Sequence, residues 1–197
     1  MGDMTATGSK FDKIAICSGH MIDAPDRETP RFPAAKAEAV RVEVAQQLEK
    51  WKIGKSDLAV CGGACGADIL FAEECLRRGA RTRLLLAQAV DDFVRDSVCH
   101  AGEDWVRRFH ALRAKTEVKV LPSEGGDAPN DISIYARTNL WIIDTARAEA
   151  ADPSKIYALL VWDEKPTGDG PGGTSDFQQK VCQLGGQVEI INPTKLS

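Results

Sequence analysis

"DLAVCGGACGADILFAEECLRRGARTRLLLA" (57–87) holds a strand, a helix and a second strand in one uninterrupted run. The apolar runs at 57–61 and 82–87 are short and continuous, as in strands covered on both faces. Between them lies a helical segment that opens after Gly66 and closes at Gly79, behind Arg77 and Arg78. A glycine past two basic residues is a helix C-terminus. Strand, helix and strand with one crossover predict two neighbouring parallel strands.

The same unit recurs on either side. "KIAICS" (13–18), "EVKVL" (117–121), "IYALLVW" (156–162) and "QVEII" (187–191) read as further strands. Helical periodicity covers 34–51, where Ala37, Val40, Val44, Leu48 and Trp51 share a face, and also 89–114 with a break near Gly102, 132–149 and 174–184. The expected fold is α/β, a Rossmann-like three-layer sandwich with a mostly parallel central sheet. Residues 11–197 are expected to form one domain, and residues 1–10 a disordered lead-in.

Composition narrows the function classes. The 197 residues are 43% hydrophobic and 27% charged, with a formal net charge of −4. That balance disfavours a protein whose main task is nucleic-acid binding. No apolar run reaches the length of a membrane span, and the first residues lack the apolar core of a signal peptide. The expected location is cytoplasmic. Six cysteines without a CxxC pair read as reduced, buried thiols. A zinc site from Cys61, Cys65 and a histidine matches no common spacing, so no metal and no cofactor is expected.

In a parallel sheet all strand ends point to one edge, and ligands bind there. Three turns on that edge carry the candidates. After the first strand, "SGHMIDAPDRETPRFP" (18–33) supplies Ser18, Gly19 and His20, followed by Asp23, Arg27 and Arg31. It is either an irregular surface loop or a functional one. After the second strand, Gly62, Gly63 and Gly66 either admit a phosphate to the helix N-terminus or make a tight turn for helix–sheet packing. Asp68 in that helix's first turn either complements the dipole or accepts from a ribose hydroxyl. After the fifth strand, "DGPGGTSDF" (169–177) places Gly172 and Gly173 before Thr174, Ser175 and Asp176. Those hydroxyls either cap the helix or meet an anion. Two glycine-rich strand-to-helix turns on one edge favour an anion cradle. "YARTN" (135–139) adds Arg137, which either pairs with a phosphate or is a solvated side chain, and Asn139.

Taken together, "GGACGAD" and its helix, "YARTN", and "GPGGTSDF" resemble the SLOG superfamily of Rossmann-like nucleotide-binding proteins. That group includes the lonely guy phosphoribohydrolases, the DNA-processing A proteins and the ligand-sensing domain of TRPM channels. The resemblance runs from about Lys13 to Ile191. It implies a nucleotide site formed by the candidates named above, with Asp68, Asp176 and Asn139 toward ribose hydroxyls. In the lonely guy motif PGG-x-GT-x-x-E, Pro171, Gly172 and Gly173 match and Arg137 falls at the assisting arginine. Ser175, Asp176 and Gln179 replace the Gly, Thr and Glu of that motif, and Thr138 replaces the Lys after the arginine.

Base release passes through an oxocarbenium-like centre that needs a carboxylate or an activated water, and Gln179 supplies no charge. The resemblance therefore implies a sensor of a nucleotide or ADP-ribose-like derivative in bacterial signalling or conflict systems. Such a sensor would act through a separate effector protein or through its own homo-oligomers. The alternative is a nucleotide phosphoribohydrolase or N-glycosidase, with Arg137 as the cation and Asp176 or Glu73 in the glutamate's place. Glu73 and Glu74 are otherwise a solvated face paired with Arg77 and Arg78. Single-stranded DNA binding would need a basic stripe with interleaved aromatics, which the sequence lacks.

Overall fold

The central strand is Ile14–Gly19 (β1), and every residue from Ile14 to Cys17 is fully buried. The computed structural model describes residues 10–122, 133–165 and 173–196. Beside β1 lie Leu58–Cys61 (β2) and Ile156–Val161 (β5). Beyond them lie Arg81–Leu86 (β3), Glu117–Val120 (β4) and Gln187–Ile191 (β6). The sheet has six strands in the order β4-β3-β2-β1-β5-β6, and every pairing is parallel.

Alternation along each strand builds two cores. Ala15, Cys17, Ala59, Cys61, Leu84 and Leu86 face one side, with Ala37–Lys50 (α1), Ala67–Arg77 (α2), Val90–Ser97 (α3) and Glu103–Arg113 (α4). Ile14, Ile16, Leu58, Val60, Leu85 and Leu160 face the other, with Ile134–Glu149 (α5) and Thr174–Leu184 (α6). Handedness explains the division. Crossovers are right-handed, so the helices change faces when the strand order reverses. From β1 the chain steps outward through β2, β3 and β4, then returns past β1 to β5 and β6. The reversal puts a crevice between the ends of β1 and β5.

The sequence-predicted strands and helices all form. Gly79 closes the α2 turn at φ +81°, and Gly185 ends α6 in the left-handed region. The break between α3 and α4 falls at Cys99–Ala101 and Gly102. Cys17, Cys61, Cys65 and Cys75 are buried free thiols, while Cys99 and Cys182 are exposed. Among the described residues no helix is long and apolar enough to cross a membrane. Of the sequence expectations, the lead-in 1–9, Pro171 and Gly172 lie outside the described residues.

Candidate functional site

The carboxyl edge of the sheet opens into a cavity of about 550 Å³, within the usual range for a small-molecule site of roughly 300–1,000 Å³. It reaches across the ends of four neighbouring strands, from Ala87 after β3 to Gly173 after β5. At a strand spacing of about 4.8 Å that is a span of about 14 Å.

The loop after β1 forms one wall. Its prolines keep it out of regular structure, and Asp23 gives it a shape. The backbone N–H of Asp23 donates to Phe32 O (2.9 Å), and Asp23 Oδ2 accepts from the backbone N–H groups of Arg31 and Phe32 (2.9 Å each). Phe32 is fully buried and anchors the loop in the core. Arg27 and Arg31 are thereby held at the cavity wall. Arg27 Nε lies 3.3 Å from Asp23 Oδ1. Arg31 Nε donates to His20 Nε2 (3.2 Å), as does the Asp163 backbone N–H (3.3 Å), and Asp163 Oδ1 lies 3.0 Å from the same nitrogen. A neutral imidazole protonated on Nδ1 accepts there, whereas one carrying its proton on Nε2, or on both nitrogens, donates to the carboxylate. Asp163 follows β5, and its side chain is 1% exposed. Burial opposes its ionisation. Hydrogen bonds from His20 and the Lys165 N–H, with Arg31 nearby, outweigh that and hold the carboxyl below its ordinary range.

The turn into α2 forms the floor. Gly66 has φ +93°, and a Cβ there would lie 2.8 Å from Ile22 N and 2.9 Å from His20 O. The β1 loop seats on this bare backbone, and Ala67 N–H donates to His20 O (3.2 Å). Gly63, at φ +85°, faces Leu84, Leu86 and Phe109 rather than the cavity. Only Gly62 of the three glycines lines it, and Asp68 occupies the space beside Gly62. A Cβ on Gly62 would meet Asp68 Oδ2 at 2.9 Å, and that oxygen accepts from Ala64 N–H (3.2 Å). Asp68 is half-buried and lines the cavity. Burial pushes its carboxyl up to about 7. The N–H groups of Ala64, Gly63 and Gly62 and the Cys17 thiol oppose the rise without cancelling it.

Helix α5 roofs the cavity. Ser133 caps it, accepting from Ala136 N–H (3.1 Å). At about 100° per residue, Tyr135, Thr138, Asn139 and Ile142 share a face, and all four line the cavity. Ser18 Oγ donates to Asn139 Oδ1 (3.3 Å), joining β1 to the roof. Arg137 falls on another face of α5 and is half-buried away from the lining. At the far end stand Gly173 and Thr174, where α6 begins and Gly173, as its N-cap residue, has no side chain to cap it.

Of the sequence candidates, the cavity brings together Ser18, Gly19, His20, Gly62, Asp68, Asn139, Gly173 and Thr174. Gly63, Gly66, Arg137, Ser175 and Asp176 lie beside it or behind it, and Gly172 lies outside the described residues. Asp176 Oδ1 pairs with Lys180 Nζ at 3.5 Å, and Gln179 is exposed. Glu73 is bound by Arg108 of α4, whose Nε and Nη2 donate at 2.9 and 2.6 Å. Glu74 is buried and accepts from Arg41 and Arg77.

The site also holds residues not singled out from the sequence: Phe93 and Asp96 of α3, His100, and Ile22. His100 Nε2 lies 3.0 Å from Ile22 O and 3.4 Å from Cys65 Sγ. Cys61 Sγ turns instead to Asp68 O (3.6 Å), and no group of three metal donors forms among the described residues.

No family model and no curated protein matches the chain. Among solved structures it is similar to DNA processing protein A (DprA) from Streptococcus pneumoniae, at 17% identity and a TM-score of 0.40 over 91% of this chain and 59% of that one. It thus spans about three fifths of that protein's length. It is also similar to the Moco Carrier Protein from Chlamydomonas reinhardtii, at 12% identity and a TM-score of 0.35 over 92% of this chain and 91% of that one.

Proposed function

We propose that this chain is a sensor that binds a nucleotide or an ADP-ribose-like derivative in the cavity at the β1/β5 crevice. The polarity of the cavity carries the reading. Arg31 and the start of α6 stand at the β5 end, where an anion gains from both a guanidinium and the positive end of the helix. Ser18, Asn139 and Asp68 line the middle with groups suited to sugar hydroxyls. Phe93, Ile22 and Tyr135 give the β3 end an apolar, aromatic lining suited to a base. Phosphate, sugar and base would follow one another along the crevice. The resemblance of "GGACGAD", "YARTN" and "GPGGTSDF" to the SLOG superfamily supports the same ligand class, with output through an effector protein or homo-oligomers.

The phosphoribohydrolase reading has weaker support. Arg137, Asp176 and Glu73 do not line the cavity, and Asp176 and Glu73 already have cationic partners. One observation favours it: Asp68 is a cavity carboxyl raised to about 7, suited to acid–base work. Incubation with AMP, ADP-ribose, its cyclic forms and NAD, followed by chromatography and mass spectrometry, separates the two. The sensor binds a member of this panel and leaves it intact. Release of a free base that Asp68→Asn abolishes would establish the hydrolase, and no binding of any member would remove the nucleotide reading.

A further inference from the structure

The turn before α2 looks from its sequence like a second phosphate cradle, but its geometry is that of a closed one. Gly63 packs on Leu84 and Leu86, and Gly66 packs on the β1 loop, so neither exposes backbone to the cavity. At Gly62, which does, the Asp68 carboxylate lies where an approaching anion would have to sit, with Oδ2 on the Ala64 N–H. The N–H groups that would meet a phosphate already serve this side chain. A second anion there would have to displace this side chain from the same N–H groups, and wherever Asp68 is ionised like charges at short range also repel strongly.

We propose that Asp68 is a specificity-determining residue of the cavity: it closes the α2 turn to phosphate and accepts a hydrogen bond from a ligand hydroxyl. The proposal rests on the nucleotide reading and adds to it an orientation and a pH dependence. The ligand has one anionic group, at Arg31 and α6. The part that crosses β2 carries hydroxyl donors.

The surroundings of Asp68 make its charge responsive. From β1 it meets Cys17, from β2 Cys61, and Cys65 lies on its own turn. Burial pushes all three thiols up, Cys65 to about 12, so they remain neutral donors. Among the described residues, the charged or titratable groups lining the cavity from other elements are His20, Asp23, Arg27, Arg31, Asp96, His100 and Tyr135. Any group that gains positive charge as pH falls would strengthen the hold on an anion in that direction. Ionisation of Asp68 strengthens the hold on a hydroxyl as pH rises. The sign of the pH dependence therefore identifies the group.

The test is calorimetric titration with ADP-ribose, whose diester phosphates do not titrate near neutrality, between about pH 5.5 and 8. Two buffers of different ionisation enthalpy count the protons, and the Asp68 ¹³Cγ resonance is followed in the free and bound protein. A hydroxyl that lowers the bound carboxyl's pKa by about one unit tightens binding about sevenfold across this range. The expected result is that gain, release of about half a proton between about pH 6 and 7, and loss of both in Asp68→Asn. Binding that is flat with pH, or that weakens as pH rises, overturns the assignment and leaves the nucleotide reading standing. No binding of ADP-ribose or of any other member of the panel at any pH overturns both. If Asp68→Asn does not fold, the sign of the pH dependence and the ¹³Cγ midpoint in the wild-type protein decide alone.

Discussion

Replacing Asp68 by Asn should make the folded chain more stable at pH 8 and change it little at pH 5. An aspartate in the unfolded chain titrates near 3.9, whereas burial raises this one to about 7 in the fold. The folded protein therefore holds the proton more tightly than the unfolded chain. Its contribution is full below about pH 4 and is lost as pH rises through about 7. Three units at about 1.4 kcal/mol each give an upper bound of about 4 kcal/mol for that loss.

Asn is nearly the same shape and keeps one oxygen for the Ala64 N–H, now 3.2 Å away, but it never acquires the charge. Its amide nitrogen replaces an oxygen beside the Gly62 and Gly63 N–H groups, which costs about 1 kcal/mol in neutral hydrogen bonding. The variant should then gain about 2–3 kcal/mol over wild type at pH 8 and stay within about 1 kcal/mol of it at pH 5, where about 1.5 kcal/mol of the wild-type loss has already occurred. Urea unfolding of both proteins at both pH values gives the difference of differences, in which titrating groups not coupled to Asp68 cancel. A gap between variant and wild type that does not move with pH would falsify the reasoning.

Other substitutions test the frame around the site. Gly66→Ala must place a Cβ 2.8 Å from Ile22 N at φ +93°. It should cost about 3 kcal/mol in urea unfolding and weaken ADP-ribose binding by displacing the β1 loop. Arg31→Ala should weaken ADP-ribose about tenfold or more in calorimetry, because it removes the guanidinium that meets the diphosphate. Glu73→Gln should leave that affinity within twofold, since its partner is Arg108 of α4. Glu74→Gln removes a buried charge shared by Arg41 and Arg77. It should lower stability by about 1–2 kcal/mol in thermal unfolding, moderated because both arginines reach solvent.

The sheet was legible because its strands are covered on both faces. "IAIC" and "ALLV" are continuous apolar runs, and nothing but a parallel sheet between helix layers buries all of them. Gly79 marked its boundary through a conformation that other residues resist. The three ligand-edge loops followed from topology alone. Legibility failed where phase and contact decide. "YARTN" gave Arg137, Tyr135 and Asn139 together, but the rotation of α5 puts only Tyr135 and Asn139 in the cavity. The three glycines of "GGACG" look equivalent as letters. Their different neighbours divide them into one that faces the site and two that let protein approach protein. His100 and Phe93 arrive from α3 and the turn after it, a crossover whose sequence shows only amphipathic helix. Asp163 left a usable signal: an acid directly behind a continuous apolar strand, at the edge where ligands bind.

The same contacts explain why the cations of this site come from a loop. An arginine on α5 reaches the crevice only if its helical phase allows, and residue 137 is out of phase with 135, 138, 139 and 142. The β1 loop has no such constraint, but a loop alone holds a guanidinium poorly. This one is fixed at several points: Phe32 in the core, Asp23 on its own backbone, Gly66 beneath Ile22, and Asp163 with His20 against Arg31. Asp163 follows β5 and Gly66 lies in the turn after β2, so the loop bridges both sides of the topological reversal. A ligand that draws on Arg31 at one end and Asp68 at the other would load that bridge from both sides. Binding would then bear on the position of the β1 loop, which is the part of the site an effector or a second copy would have to read.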